Sequence, residues 1–302
     1  MRRKVIQIAE STQLISLPRK WALSHNIKKG DEIEIVEDGK YLTISAAGSR
    51  EELKTTEINL TGIENILNRI LGILYKIGYD QISIKYSSPE FVSLIQKSLQ
   101  EDMIGYEIVE QHPNRCVIKT VAASSEAEFD SMLRRTYLLL KSMLEGLLVV
   151  MESGDKKSLP SLRFLEKTNN KYTAFCRRVI NKNGLQGVPN SVFYCLVEEI
   201  EKIADQAKYL CDDLLEQKTS KVEKDVLDLF KQVVELYNKT YDLHYSFDVK
   251  KLSELFEKRK LLNKEARKIM SGTKTPLVVH HALSMIQSMA NVWSFEVPLN
   301  WK

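Results

Sequence analysis

The sequence predicts a mixed α+β chain in three parts: a small hairpin-rich head, a small α/β segment, and an all-α bundle of six helices in two three-helix repeats. Three observations carry this. The first 48 residues hold short alternating runs closed by turn residues. The next stretch alternates helical and strand periodicity. From Ala122 onward the helical period is unbroken except at short Gly-, Pro- and Ser-containing gaps. Only 7 prolines and 12 glycines in 302 residues agree with long helices.

The expected boundaries are 1–48, 49–121 and 122–302. In the head, Ile6 and Ile8 flank Gln7 in a short strand. Glu10-Ser11-Thr12-Gln13 then forms a turn, and Leu14 to Leu17 a second strand. Pro18 suits the first position of a helix, where its missing N–H would be unpaired anyway, and that helix ends near Asn26. Ile33 and Ile35 lie on one strand, Leu42 and Ile44 on another, joined at Asp38-Gly39.

A piece this short cannot close a core by itself. Two chains lending strands to a shared barrel would solve the problem. Its charge is also polarised. Arg2, Arg3, Lys4, Arg19, Lys20, Lys28 and Lys29 face a single acid, Glu10, while Asp31, Glu32, Glu34, Glu37 and Asp38 follow in one block. Solvated surface charge explains such a pattern about as readily as a partner does.

In the second part, Ile63, Ile66, Leu67, Ile70, Ile73, Leu74 and Ile77 follow helical spacing, and Gly78 stops the helix. Gln81–Tyr86 alternates as a strand. Phe91, Leu94, Ile95 and Leu99 mark a second helix, and two strands flank His112-Pro113-Asn114. With one more strand in front, this gives an open sheet with helices on one face.

Helices are expected near 125–153, 159–183, 189–217, 221–247, 249–271 and 275–297. Short connections force antiparallel neighbours. Phe164-Leu165-Glu166-Lys167 echoes Leu255-Phe256-Glu257-Lys258, and Ile200–Asp205 echoes Ile286–Asn291, which points to an internal duplication of a three-helix unit. Tyr137, Leu138, Leu139, Leu140 and Met143 read as bundle core.

Several classes are excluded. Cys116, Cys176, Cys195 and Cys211 are widely spaced, so disulfides and a zinc site are not expected, and the thiols suit a cytoplasmic protein. The basic amino terminus lacks the apolar run of a signal peptide. The greasiest stretch, Tyr137–Met151, is broken by Lys141 and Glu145, so no membrane insertion is expected. His280 and His281 are adjacent and point about 100° apart, too far for one ion. There is no nucleotide loop and no nucleophile–base arrangement; the chain does not read as an enzyme.

Glu201 and Asp205 stand one helical turn apart on one face, with Glu198 close by. Joined by Glu166 from the neighbouring helix, they would make an oxygen-rich cation site. A solvated acidic face, with Glu201 paired to Lys202 or Lys208, is the commoner reading of such spacing.

Residues 4–45, through Ser16-Leu17-Pro18-Arg19-Lys20-Trp21, Lys28-Lys29-Gly30-Asp31 and Asp38-Gly39, resemble the AbrB/SpoVT swapped-hairpin DNA-binding domain. The resemblance implies an interlocked homodimer whose Arg2, Arg3, Lys4, Arg19 and Lys20 meet DNA. Residues 122–298 resemble the PhoU family of phosphate-uptake regulators through Glu198–Ala207 and the repeat order. In that family, ExxxD motifs hold metal ions. Here only Glu201–Asp205 is complete: Glu166 is followed by Asn170, Glu257 by Leu261, and the sixth helix offers Gln287 and Asn291.

No cofactor is therefore required, and at most one divalent or trivalent metal ion is expected, in the first helical repeat at Glu166, Glu201 and Asp205. The resemblances imply a dimeric transcriptional regulator whose bundle relays a phosphate-linked signal. The alternative is an adaptor that docks a phosphate transporter or sensor kinase and uses the head only to dimerise.

Overall fold

The computed structural model describes residues 2–8, 12–38, 41–46, 53–121, 126–185, 187–217 and 221–301. The chain divides into two compact units, residues 1–53 and 54–302.

In the first unit β1 (Ile6–Ile8) pairs antiparallel with β2 (Thr12–Leu14). The ladder opens at Ile8 opposite Thr12, so Thr12 and Gln13 belong to the strand and not to the expected turn, and the strand ends at Leu14 rather than Leu17. Glu10 and Ser11 lie outside the described residues. Pro18 precedes α1 (Arg19–Ser24), and Asn26 adopts a left-handed backbone that ends the turn beyond it. β3 (Ile33–Asp38) and β4 (Tyr41–Ala46) pair from Ile33 opposite Ala46 to Asp38 opposite Tyr41. That is the expected hairpin; Gly39 itself lies outside the described residues.

The second unit opens with β5 (Thr55–Asn59), α2 (Leu67–Ile77), β6 (Gln81–Lys85), α3 (Phe91–Asp102), β7 (Tyr106–His112) and β8 (Arg115–Thr120). The strands form one sheet in the order β5-β6-β8-β7, parallel only between β5 and β6. β5 is the additional leading strand. Leu67, Leu71 and Tyr75 from α2 and Ile95 and Leu99 from α3 pack with Ile82, Ile84, Cys116 and Ile118, which puts the helices on one face. Gly78 caps α2 with φ 94°, a left-handed conformation that suits glycine. Ile66, Ile73 and Ile77, part of the same periodic set, stay exposed.

Six helices follow: α4 (Glu126–Ser153), α5 (Leu159–Lys182), α6 (Asn190–Glu216), α7 (Lys224–Tyr245), α8 (Val249–Met270) and α9 (Pro276–Asn300). Each boundary falls within a few residues of its sequence expectation. Asp248 caps α8 by accepting the backbone N–H groups of Lys250 and Lys251 at 2.6 and 3.3 Å. Those bonds hold its carboxyl below the usual carboxylate range. α9 runs three residues past its expected end at residue 297, through Pro298, because Val297 and Leu299 pack against the core and Trp301 N–H reaches Val297 O.

α4, α5 and α6 pack together as one set and α7, α8 and α9 as a second. The sets meet through α6 on α9 and α4 on α7, so matching helices of the two repeats face each other. α5 and α8 are the outer helices; α2 and α3 lie against α5. Tyr137, Leu140 and Met143 are buried as expected, whereas Leu138 is exposed on the far side of α4.

Candidate functional site

No described residue of the head is fully buried. Val5, Ile6, Ile8, Leu23, Ile35 and Leu42 are all more than half exposed. Burying one such side chain is worth about 1.5–3 kcal/mol, so this unit lacks the interior that would hold two hairpins and one short helix together. Ile33, Ile35, Leu42 and Ile44 share one face of the β3–β4 ladder, because Ile35 lies opposite Ile44 and Leu42 opposite Glu37. An uncovered apolar sheet face of this kind calls for a second surface.

The basic side chains are on the outside. Arg2, Arg3 and Lys4 lead into β1, and Arg19 and Lys20 open α1; all five are exposed, as are Lys28 and Lys29. The Lys28-Lys29-Gly30-Asp31 turn is held by Asp31 Oδ2, which accepts Lys28 N–H at 2.7 Å. Gly30, at φ 95°, supplies the left-handed step. Trp21 packs its ring 4.9 Å from that of His25, which follows the end of the same short helix. Exposed guanidinium and ammonium groups clustered in so small a unit can neutralise phosphates.

In the helical unit, Glu166 is buried on α5, and Glu201 and Asp205 are half-buried on α6. They are not left facing one another. Lys208 Nζ donates to Glu166 Oε1 at 2.8 Å and to Asp205 Oδ1 at 2.7 Å, taking the place between them that a metal would need. Asn170 Nδ2 donates to the same Glu166 oxygen at 2.7 Å. Glu201 accepts from Arg177 and from the Thr173 hydroxyl, and Glu198 also accepts from Arg177. Burial alone would lower the Lys208 pKa, but its bonds to Asp205 and Glu166 hold the ammonium above its usual value.

The expected metal set therefore does not fit a divalent or trivalent ion: each carboxylate already has a cationic or hydrogen-bonding partner. Among the described residues no group of three or more histidine, cysteine or acidic side chains is placed to hold a metal. The pairings suggested by spacing also differ. Glu201 pairs with Arg177 rather than Lys202 or Lys208, and Lys202 pairs with Glu199 at 2.7 Å. In the second repeat amides stand at the α6 carboxylate positions: Arg259 donates to Gln287 at 2.6 Å and Gln287 to Asn291 at 3.1 Å, while Glu257, the counterpart of Glu166, accepts from Lys260 at 2.7 Å.

The histidines are committed too. His281 is buried with Nε2 2.7 Å from Asp213 Oδ2 and Nδ1 2.9 Å from Gln206 Oε1, while His280 is exposed. His244 lies 2.7 Å from buried Glu296.

Sequence reasoning missed Arg177 and Arg178, both buried on α5. The available signal was their position between the apolar pairs Phe175-Cys176 and Val179-Ile180, a run the structure buries throughout. A charged doublet in such a run needs internal partners.

Residues 6–52 match the family model described as antidote-toxin recognition MazE, bacterial antitoxin. No curated protein and no solved structure shows a significant match to the chain. The family match covers only the amino-terminal unit and leaves the PhoU-like reading of the helices without support from a known relative. What the chain carries is a MazE/AbrB-type swapped-hairpin head at residues 6–52, followed by an α/β segment and a six-helix bundle.

Proposed function

We propose that the protein is a homodimeric DNA-binding regulator: two heads interlock, and their joint basic face binds duplex DNA. The observation that carries this reading is the combination in one small unit of an uncovered apolar face and five exposed cations, Arg2, Arg3, Lys4, Arg19 and Lys20. The MazE-type match supports the pairing. Contacts of this kind set affinity and orientation more than sequence choice.

The helical unit then receives a signal or docks a partner. Two three-helix sets meeting through matching helices agree with a phosphate-uptake-regulator-like arrangement, and a phosphate-linked input is the reading we favour for it. The protein works in the cytoplasm, without a required cofactor and without catalysing a reaction. No described helix is long and apolar enough to cross a membrane.

A second reading is an adaptor whose head only dimerises while the bundle binds a transporter or sensor kinase; the acidic block Asp31, Glu32, Glu34, Glu37 and Asp38 in the same head favours it over DNA binding. Electrophoretic mobility shift of random duplex at moderate salt separates the two. The regulator retards the duplex, and Arg19→Glu with Lys20→Glu abolishes the shift. Unchanged affinity in that variant would refute the DNA-binding face.

A further inference from the structure

α2 carries more apolar side chains than its own core takes up. Leu67, Leu71 and Tyr75 are buried against the sheet. Ile66, Ile73 and Ile77 are 39%, 46% and 42% exposed, and Ile63, just ahead of the helix, is 46% exposed. With half-buried Ile70 they recur alternately three and four residues apart, the spacing of a coiled-coil seam. An unbroken isoleucine ridge is an unusual choice for a solvated helix face.

The direction of this ridge follows from α3. At about 100° per residue, Asn68 points away from the isoleucines. Asn68 Oδ1 accepts the Ser98 hydroxyl of α3 at 3.0 Å, so α3 lies on one side of α2 and the isoleucines look out on the other. α2 connects the parallel pair β5–β6 and covers that end of the sheet, so the ridge borders the β5 edge.

The two sheet edges are built differently. β7 has a register break between Ile108 and Glu110 and carries Glu107 and Glu110, features that discourage strand addition. β5, with sequence TTEIN, matches β6 residue for residue and contains no lysine, arginine or proline. Its one charge, Glu57, is paired to Lys85 on the neighbouring strand at 2.6 Å. One edge is guarded. The other is regular, and no described strand pairs along its outer side.

We propose that this edge and the isoleucine ridge form a second homodimer interface. Across a two-fold axis, β5 pairs antiparallel with β5 of a second copy and the two α2 ridges pack together. A two-fold sets each surface against itself, and both surfaces are self-complementary: a free strand edge offers alternating donors and acceptors, and a ridge of like side chains interdigitates with its own copy. The occupant is a second copy because β5 starts at Thr55, three residues beyond the matched head. Paired heads hold two such strands on short tethers at high effective concentration. The interface rests on head pairing for that advantage only, and not on DNA binding.

The test uses the full chain with Cys195→Ser, which removes the exposed native thiol, and one new cysteine at a time. Under a mild thiol oxidant, Ile70→Cys and Ile73→Cys, near the axis, link two chains, whereas Leu261→Cys on exposed α8 does not. Hydrogen exchange on the unmodified chain finds the outward amides of β5 protected, and Ile66→Asp with Ile73→Asp lowers that protection about tenfold. Linking at residues 70 and 73 no faster than at 261, or unprotected β5 amides, would overturn the proposal. DNA affinity is not read, so the outcome is independent of the DNA-binding reading.

Discussion

Arg178 Nη2 lies 2.7 Å from Asp80 Oδ1, and both side chains are buried where the α/β segment meets α5. The guanidinium also donates to the Tyr75 and Tyr79 carbonyls, and its centre lies 5.2 and 5.1 Å from the rings of Tyr75 and Tyr106. Asp80 takes further bonds from Lys182 Nζ at 2.7 Å and from Lys54 N–H at 3.0 Å. Every oxygen and most donors in this group are satisfied, so removing one member leaves a buried charge behind. Arg178→Ala is expected to cost about 3–5 kcal/mol in urea unfolding, and Arg178→Lys to recover little of it because an ammonium cannot reproduce the planar fork. The Arg178→Ala, Asp80→Ala double variant should lose less than the sum of the two single losses.

The same pair gives a pH signature. Burial would raise the Asp80 pKa, but the Lys182 hydrogen bond, the Lys54 N–H and the charges of Lys182 and Arg178 outweigh it and hold the carboxyl below its ordinary value. A depressed folded-state pKa contributes stability above the unfolded value of about 3.9, and that contribution is lost as pH falls through the folded value. The stability gap between the natural chain and Asp80→Asn should therefore be full at neutral pH and shrink below about pH 4. A gap constant across that range would contradict the assignment.

Head pairing predicts a specific sensitivity on the β3–β4 face. Ile35→Asp with Leu42→Asp places charges on the surface that a second head should cover. Light scattering should show head-mediated pairing weakened, and DNA affinity should fall about tenfold or more because the phosphate contacts are no longer doubled.

Lys208 predicts the metal behaviour of the first repeat. Gel filtration after incubation with excess divalent metal should leave less than one tightly held ion per chain. Lys208→Ala should lower stability by about 1–3 kcal/mol by leaving buried Glu166 with only Asn170. Because the variant frees two carboxylates, added manganese should raise its melting temperature more than that of the natural chain. Tight stoichiometric binding by the natural chain would contradict this.

The salt dependence of DNA binding should report the basic face directly. Each phosphate contact contributes about −0.9 to the slope of log affinity against log salt. Removing Arg2, Arg3 and Lys4 together should flatten that slope while changing preference between duplex sequences little.

Much of the architecture was legible because it depends on periodicity. The helices of the bundle show their period over more than twenty residues each, and three of their five breaks are marked in the sequence by Gly154, by Gly184 with Pro189, and by Gly272 with Pro276. The carboxylate arrangement was less legible. Spacing places Glu201 and Asp205 on one face, but it cannot say that Lys208, on the same helix, reaches Glu166 on the neighbour, or that Arg177 turns inward to Glu201. Both contacts form where α5 packs on α6, a tertiary fact that turns part of a nominal surface stripe into interior. The isoleucines of α2 mark the reverse limit. Helical spacing identified them as a packing surface, and only the structure shows that Ile66, Ile73 and Ile77 stay partly exposed.

Sedimentation equilibrium of the full-length chain in the micromolar range tests the central claim most directly. An amino-terminal unit that needs a second copy to gain an interior predicts a species of twice the 34.8 kDa chain mass, persisting on dilution. A single-chain mass with the β1–β4 amides still protected from exchange would contradict it.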